Sequence, residues 1–465
     1  MPSFSPELLP ELLLARLAGF PDAKIGWVAY SGGVDSSVLL DCLVAARNRL
    51  PFEIRALHVH HGLHPDADAW SEHCACECRR LGVPLEIRRV EVSRTRGESL
   101  EALARQARYE AMSAVLGRGD LLLSAQHRDD QAETLLLALM RGSGPAGLAA
   151  MPFVALLGEG WLVRPLLEHG RAELRAYAEG RNLRWQEDPG NRSLRFDRNF
   201  LRHRVLPLLA ERWPSCAASI ARSAANCAEA QGVIDVLVEE KLSGVAGRWP
   251  DALSISLLGD LPVPFRKLVL RHWFRKLGLA LPDSRRLDRI LCDVIGARPD
   301  ADPLVDWPGC EVRRYRDDLF AMAPLPSRPP AGPIHWGRGV LSLPGAVGCL
   351  ELLAPDGSPL DPLDLFATGL EVRFRVKGLF CRTVRDRHRR PLKKLYQEAG
   401  VPPWIRPYVP LVFVEGNLLA VADIRTCHSD APVGRRQFRL RWRSEMCERL
   451  RIGREEAVGS DTSRF

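Results

Sequence analysis

No stretch of the 465 residues approaches the roughly 18 consecutive apolar positions that a bilayer-spanning helix needs. The leucine-rich start, Met1 to Phe20, carries Glu7, Glu11 and Arg16 and has no basic lead into an apolar run. It therefore reads as an amphipathic helix rather than an export signal. Cysteine is sparse: twelve are scattered along the chain, too few for a disulfide scaffold, so reduced thiols and a cytoplasmic location are expected. The lysine-bearing phosphate loop G-x-x-x-x-G-K-[ST] occurs nowhere, and neither does Cys-x-x-Cys. The first absence excludes the commonest ATP-binding motif; the second argues against cluster-dependent sulfur transfer. No internal repeat is visible.

What is present is a charge asymmetry. The formal net charge is +8, yet residues 371–450 alone hold 18 Lys/Arg against 8 Asp/Glu, leaving the remainder near neutral. A basic segment attached to a neutral one suits a polyanionic partner. The first 130 residues alternate apolar runs with helical patterns. Strands are expected over Lys24–Tyr30, Ile54–Val59, Leu85–Val92 and Asp120–Ala125, and helices over Ser36–Leu50, Ala67–Leu81, Leu100–Leu116 and Asp129–Met140. This alternation predicts an α/β fold with a doubly wound parallel sheet. An Ala-, Leu- and Arg-rich helical region follows, with one long helix over Cys216–Glu240 and a hairpin of Glu311–Tyr315 with Leu319–Met322. Five prolines in Pro324–Pro333 mark a linker. A small α+β region comes last, with a strand at Leu411–Val414 and a basic helix near Leu392–Gly400. The expected domains are 1–214, 215–325 and 326–450, with a polar, frayed tail at 451–465.

The strongest motif is Ser31-Gly32-Gly33-Val34-Asp35-Ser36-Ser37, directly after a strand and opening a helix. Two glycines let the backbone turn close to an anion, and free N–H groups at the helix start attract phosphate. Asp35 is out of place in a pure anion site and suggests magnesium. A serine-capped helix after a glycine turn would use the same residues. Gln126–Thr134 places Asp130 and Glu133 on one helix face, suited to a metal, to an ammonium group or to capping alone. Arg105 and Arg108 lie one turn apart as a candidate phosphate clamp. The four histidines of Leu57–His64 match no familiar zinc spacing and read as a loop lining a nucleotide pocket. On a helix Cys74 and Cys78 align while Cys76 points away, which favours buried thiols. Arg141–Leu148 is glycine-rich and reads as an active-site loop or a helix stop.

The loop Ser31–Ser37 resembles the pyrophosphate loop of the N-type ATP pyrophosphatases. Taken in order with Gln126–Thr134, Glu101–Tyr109, Arg164-Pro165-Leu166-Leu167, Asp197–Arg202, Leu392–Leu395 and Gly400–Trp404, it is similar to the long form of bacterial tRNA(Ile)-lysidine synthetase. That family usually has Asn and Arg where this chain has His60 and His64, so a fixed guanidinium charge is missing at His64.

The resemblance implies ATP-dependent joining of L-lysine to C2 of the wobble cytidine of CAU-anticodon tRNA(Ile), through an adenylated cytidine. Ser31, Gly32, Gly33, Val34, Asp35 and Ser36 would bind ATP, with Asp35 directing Mg2+. Arg108 would meet phosphate or the activated base, and Asp130 and Glu133 would grip lysine. Arg198, Arg202, Arg385, Arg387, Arg389, Arg390, Lys393 and Lys394 would hold the tRNA. A membrane partner is not expected, and a homodimer is left open. A related tRNA thiolation enzyme and a non-catalytic RNA-binding protein are the competing readings.

Overall fold

The computed structural model describes residues 6–62, 64–91, 100–298, 301–326, 329–345, 347–376, 378–382, 389–427 and 438–444. The chain divides into two compact units, 1–234 and 235–465. Among the described residues no helix is long and apolar enough to cross a membrane.

The first unit is built on six strands: β1 (Ile25–Ala29), β2 (Glu53–His60), β3 (Leu85–Arg89), β4 (Leu121–Leu123), β5 (Val154–Leu157) and β6 (Gly160–Val163). Their order is β3-β2-β1-β4-β6-β5. All pairings are parallel except the β5–β6 hairpin, which closes one edge. Parallel neighbours need crossover helices. The chain supplies α1 (Leu9–Leu17), α2 (Val34–Ala45), α3 (Ala67–Leu81), α4 (Leu100–Ser113), α5 (Arg128–Met140), α6 (Pro145–Leu148) and α7 (Arg171–Gly180). The strands and helices expected from apolar periodicity are found with shifts of a few residues at their ends. The edge hairpin strands β5 and β6 and the helix α7 have no counterpart among the expected elements.

Helix α2 is buried from Ser36 to Leu43 with no polar face, because the sheet covers one side and α1 and α7 the other. The α1 leucines 9, 13 and 17 fall four apart and enter that same core. Asp41, buried inside α2, is compensated by the Tyr177 hydroxyl at 2.8 Å and Arg181 Nε at 3.2 Å. Strand order runs outward from β1 in one direction and from β4 in the other. The cleft beyond their carboxyl ends is where such sheets place ligands.

Leaving the sheet, the chain forms α8 (Asp197–Phe200), a π-helical turn (Leu201–Val205), α9 (Leu206–Arg212) and the long α10 (Cys216–Gly244), within which the two units divide. The second unit adds α11 (Ile255–Asp260), α12 (Val263–Lys276) and α13 (Ser284–Arg289) beside a four-stranded sheet. That sheet contains the expected hairpin, here β9 (Cys310–Tyr315) with β10 (Asp318–Met322), after β7 (Leu253–Ser254) and β8 (Leu304–Trp307). Strands from residue 334 onward form a five-stranded, a three-stranded and a two-stranded sheet. Their core is continuous with the hairpin: Trp404 receives the edges of Tyr315 and Phe320, and the Arg313 guanidinium lies 5.4 Å from its ring centre.

The expectation of reduced thiols throughout is corrected at one pair. Cys381 and Cys427, both buried, form a disulfide across 46 residues with Cα atoms 5.4 Å apart. Tertiary folding brings together two thiols that spacing alone could not pair. On α3 the expected pattern holds: Cys74 and Cys78 are buried and Cys76 is exposed.

Candidate active site

The turn after β1 reaches α2 with Gly32 at φ +79°, a left-handed conformation where a Cβ would also sit 3.0 Å from Cys74 Sγ. Gly33 caps α2 without a side chain, so the first N–H groups of the helix have no intrahelical acceptor. Ser36 Oγ donates to the Gly33 carbonyl at 3.0 Å and lies 3.1 Å from Ser31 Oγ, closing the loop on itself. From across the cleft the Gln186 N–H donates to the Gly32 carbonyl at 2.8 Å. The result is a closed cradle of residues 31–36 whose free N–H groups suit an anion. Ser37 Oγ and Asp35 Oδ1 beside it are buried and have no hydrogen-bond partner.

Beyond β4 the next crossover helix, α5, begins with His127 as its cap, fully buried. The imidazole lies 3.6 Å from Asp35, 3.7 Å from Asp129 and 3.5 Å from Asp130. Those separations are at or beyond a good hydrogen bond, so the attraction is chiefly between charges. Burial alone would favour the neutral ring. Asp35 and Asp130 outweigh it and raise the His127 pKa above its ordinary value. Asp130 is deeply buried, which favours its neutral form, but His127, Arg198, Arg202 and the His127 N–H together hold its carboxyl below the usual range. His127 thus joins the loop after β1 to the acids after β4. Charge and helix capping are legible for the acids; the sequence offers the histidine at their centre only as a metal ligand beside them, not as their counter-charge.

Asp130 and Glu133 do share one helix face, and the structure brings Arg198 and Arg202 onto it. Glu133, fully buried, accepts from Arg198 Nε at 2.7 Å, Arg202 Nε at 2.6 Å and Arg202 Nη2 at 2.9 Å. Asp130 Oδ1 accepts from Arg198 Nη2 at 3.1 Å and Arg202 Nη2 at 3.0 Å. Two carboxylates and two guanidiniums form one balanced cluster. Asp129 points elsewhere, accepting the Arg171 N–H at 2.9 Å and so tying α5 to α7.

Arg108 is exposed on α4 and close enough to His61 to act on its charge. Burial first, then Arg108, lowers the His61 pKa, with Asp188 opposing. The Arg105 guanidinium lies 5.1 Å from the Tyr109 ring centre. The histidines on and just after β2 lie among groups of their own surroundings. His58 Nδ1 donates to the Tyr30 carbonyl at 2.9 Å, His60 lies 3.2 Å from Asp68, and His64 stacks on Trp70. Among the described residues no group of three or more His, Cys, Asp or Glu is arranged to hold a metal ion. In the second unit Arg389, Lys393 and Lys394 are exposed, while Arg390 pairs with Glu398 at 3.1 Å. Arg385 and Arg387 lie outside the described residues.

Comparison with known proteins agrees along the chain. Residues 13–209 match the PP-loop domain family, 253–320 the TilS substrate binding domain and 370–442 the TilS substrate C-terminal domain. The tRNA(Ile)-lysidine synthase of Methylococcus capsulatus is 44% identical over 407 residues, covering 87% of this chain and 92% of the relative. That of Alkalilimnicola ehrlichii is 44% identical over 432 residues, covering 91% and 94%. A third, from Coxiella burnetii, is 40% identical over 419 residues, covering 90% and 93%. With a glycine turn at the sheet's reversal point and relatives of this identity spanning nearly the whole chain, the protein is a ligase of the tRNA(Ile)-lysidine synthase family.

Proposed function

We propose that this enzyme joins L-lysine to C2 of the wobble cytidine of CAU-anticodon tRNA(Ile), releasing AMP and pyrophosphate. The observation that carries the reading is the juxtaposition of the glycine cradle with Asp35, His127, Asp130 and Glu133 at the ends of β1 and β4. Ser31, Gly32, Gly33, Val34, Asp35 and Ser36 hold the phosphates of ATP. The cytidine C2 oxygen attacks the α-phosphorus, pyrophosphate leaves, and the lysine ε-amine then displaces AMP from C2. Backbone dipoles already aimed at the phosphates stabilise the charge that develops there.

Asp35 fits Mg2+ that arrives with the nucleotide. Its Oδ1 is buried without a partner, and magnesium is commonly held by one or two carboxylates together with phosphate oxygens. When bound, the ion neutralises phosphate charge. Arg108, exposed beside His61, meets phosphate or the adenylated base. Asp130 and Glu133 receive the amine and accept its proton; Arg198 and Arg202 pair with both and help hold the Asp130 carboxyl ionised beforehand. The basic stretch 326–450, with Arg389, Lys393 and Lys394 outward, holds the tRNA backbone.

Sulfur transfer is disfavoured by the thiols near the cradle. Burial pushes Cys74 and Cys78 up to about 12, so neither is a thiolate at neutral pH. The deciding experiment incubates the protein with ATP, Mg2+, labelled lysine and bulk tRNA. ATP-dependent label in acid-precipitable RNA, released as a lysine-bearing cytidine by nucleoside mass spectrometry, is expected. ATP binding without any such label would remove the proposal.

A further inference from the structure

Between the cradle and the acid cluster runs a segment whose two sides behave differently. On its inner side Asn199 is buried, its amide donating to the Gly190 and Ser193 carbonyls at 3.0 Å each, and Arg198 and Arg202 reach Asp130 and Glu133. The same stretch is tied to the phosphate loop through Gln186 and the Gly32 carbonyl. Position and orientation are therefore fixed by the site itself. On its outer side Phe196 and Phe200, one turn apart, are 42% and 48% exposed. Phe196, in extended conformation, caps the start of α8 and Phe200 ends it, while Arg198 between them turns to the acid cluster. Arg195 and Arg204, both exposed, flank them, and among the described residues neither has an ion-pair partner.

An isolated exposed phenylalanine needs no explanation. Two at the ends of one helical turn, bracketed by unpaired arginines and joined to the candidate site, combine the elements that bind single-stranded nucleic acid: aromatic faces for stacking and cations for the backbone. We propose that Phe196 and Phe200 form a stacking platform for unpaired bases beside the target nucleotide, with Arg195 and Arg204 on the adjoining phosphates. This rests on the proposed function only in taking a looped RNA as substrate. A target base must leave its stack to reach the cradle, and such a platform gives its displaced neighbours a surface. The occupant favoured is RNA rather than a second copy of the chain, because the flanking charge is of one sign and would oppose its own image across a symmetric interface.

The test compares the full-length protein with Phe196→Ala/Phe200→Ala and with Phe196→Tyr/Phe200→Tyr. The probes are a hairpin RNA with a seven-base CAU-centred loop and a fully paired RNA of the same length. Alanine is expected to weaken binding of the looped RNA roughly tenfold while leaving paired RNA and ATP binding unchanged, and tyrosine to restore it. Equal losses for both RNAs, or none, would overturn the platform. So would a change in oligomeric state with RNA binding intact, which would assign this face to a second copy. Because the readout is RNA binding, the platform survives or fails independently of whether lysine is the amine transferred.

Discussion

At the scale of single residues, His127 does something its neighbours cannot do alone. Three carboxylates, Asp35, Asp129 and Asp130, stand within 3.7 Å of one buried ring. Removing the ring leaves like charges facing each other across a void. His127→Ala should therefore cost roughly 2–4 kcal/mol of stability in urea unfolding without ligand, combining the cavity with the unmasked repulsion. It should also weaken ATP binding, while His127→Gln, which keeps volume and a donor, recovers part of both. An alanine variant as stable as the parent would show that the acids are held apart by other means.

Asp423 offers a pH test of the same logic in the second unit. Burial raises its pKa from 3.8 to about 6, against the pull of backbone N–H groups, Arg439 and Arg441. A carboxyl raised on folding stabilises the fold fully below its unfolded pKa, and that stability is lost as pH climbs through 6. The difference corresponds to on the order of 3 kcal/mol. Asp423→Asn should thus stabilise the protein at pH 7.5 and have little effect near pH 3.5, as read by denaturant midpoints. Destabilisation at pH 7.5 would mean that the ionised carboxylate is wanted.

At the scale of elements, the arginine–acid cluster pins α8 and its π-helical turn to α5. Glu133 is fully buried, and both its oxygens are engaged by guanidinium groups. Glu133→Ala leaves two partly buried cations with only Asp130, and a loss of roughly 3–5 kcal/mol is expected from denaturant unfolding, with new proteolytic cuts in 190–205. A loss below about 1 kcal/mol would mean the arginines relax into solvent without cost.

This cluster also marks the limit of what the sequence alone makes legible. Strand-then-helix periodicity and the Gly-Gly turn are local signals, and they locate β1, α2, the cradle and the start of α5 within a few residues. Asp130 and Glu133 are legible because i,i+3 spacing is local too. Their pairing with Arg198 and Arg202 spans more than 60 residues of chain and is set by how α8 packs, which no periodicity encodes. The Cys381–Cys427 disulfide and the edge strand β5 escape sequence reasoning for the same reason: each depends on a tertiary neighbour. Spacing gives the His60 and His64 loop no zinc reading; in the structure His60 lies beside Asp68 and His64 stacks on Trp70.

At the scale of the whole molecule, charge is the property most unevenly distributed. The excess lies in residues 371–450, yet not every arginine there is available to a polyanion: Arg373 pairs with Glu371, and Arg390 with Glu398. Arg389, Lys393 and Lys394 remain outward, the two lysines on the exposed side of the helix Leu392–Glu398 whose other side is buried through Leu392, Leu395 and Tyr396. Burial of that inner face holds the cations in a fixed spatial pattern, as phosphate binding requires for register. Replacing all three with glutamine should weaken tRNA binding at low salt and flatten the slope of log K against log salt by about 3, one unit for each phosphate that is no longer neutralised. Because these side chains are exposed and the buried face is untouched, the fold and ATP binding should be unchanged. A slope identical to the parent's would show that the cluster faces solvent in the complex and that the polyanion is held elsewhere.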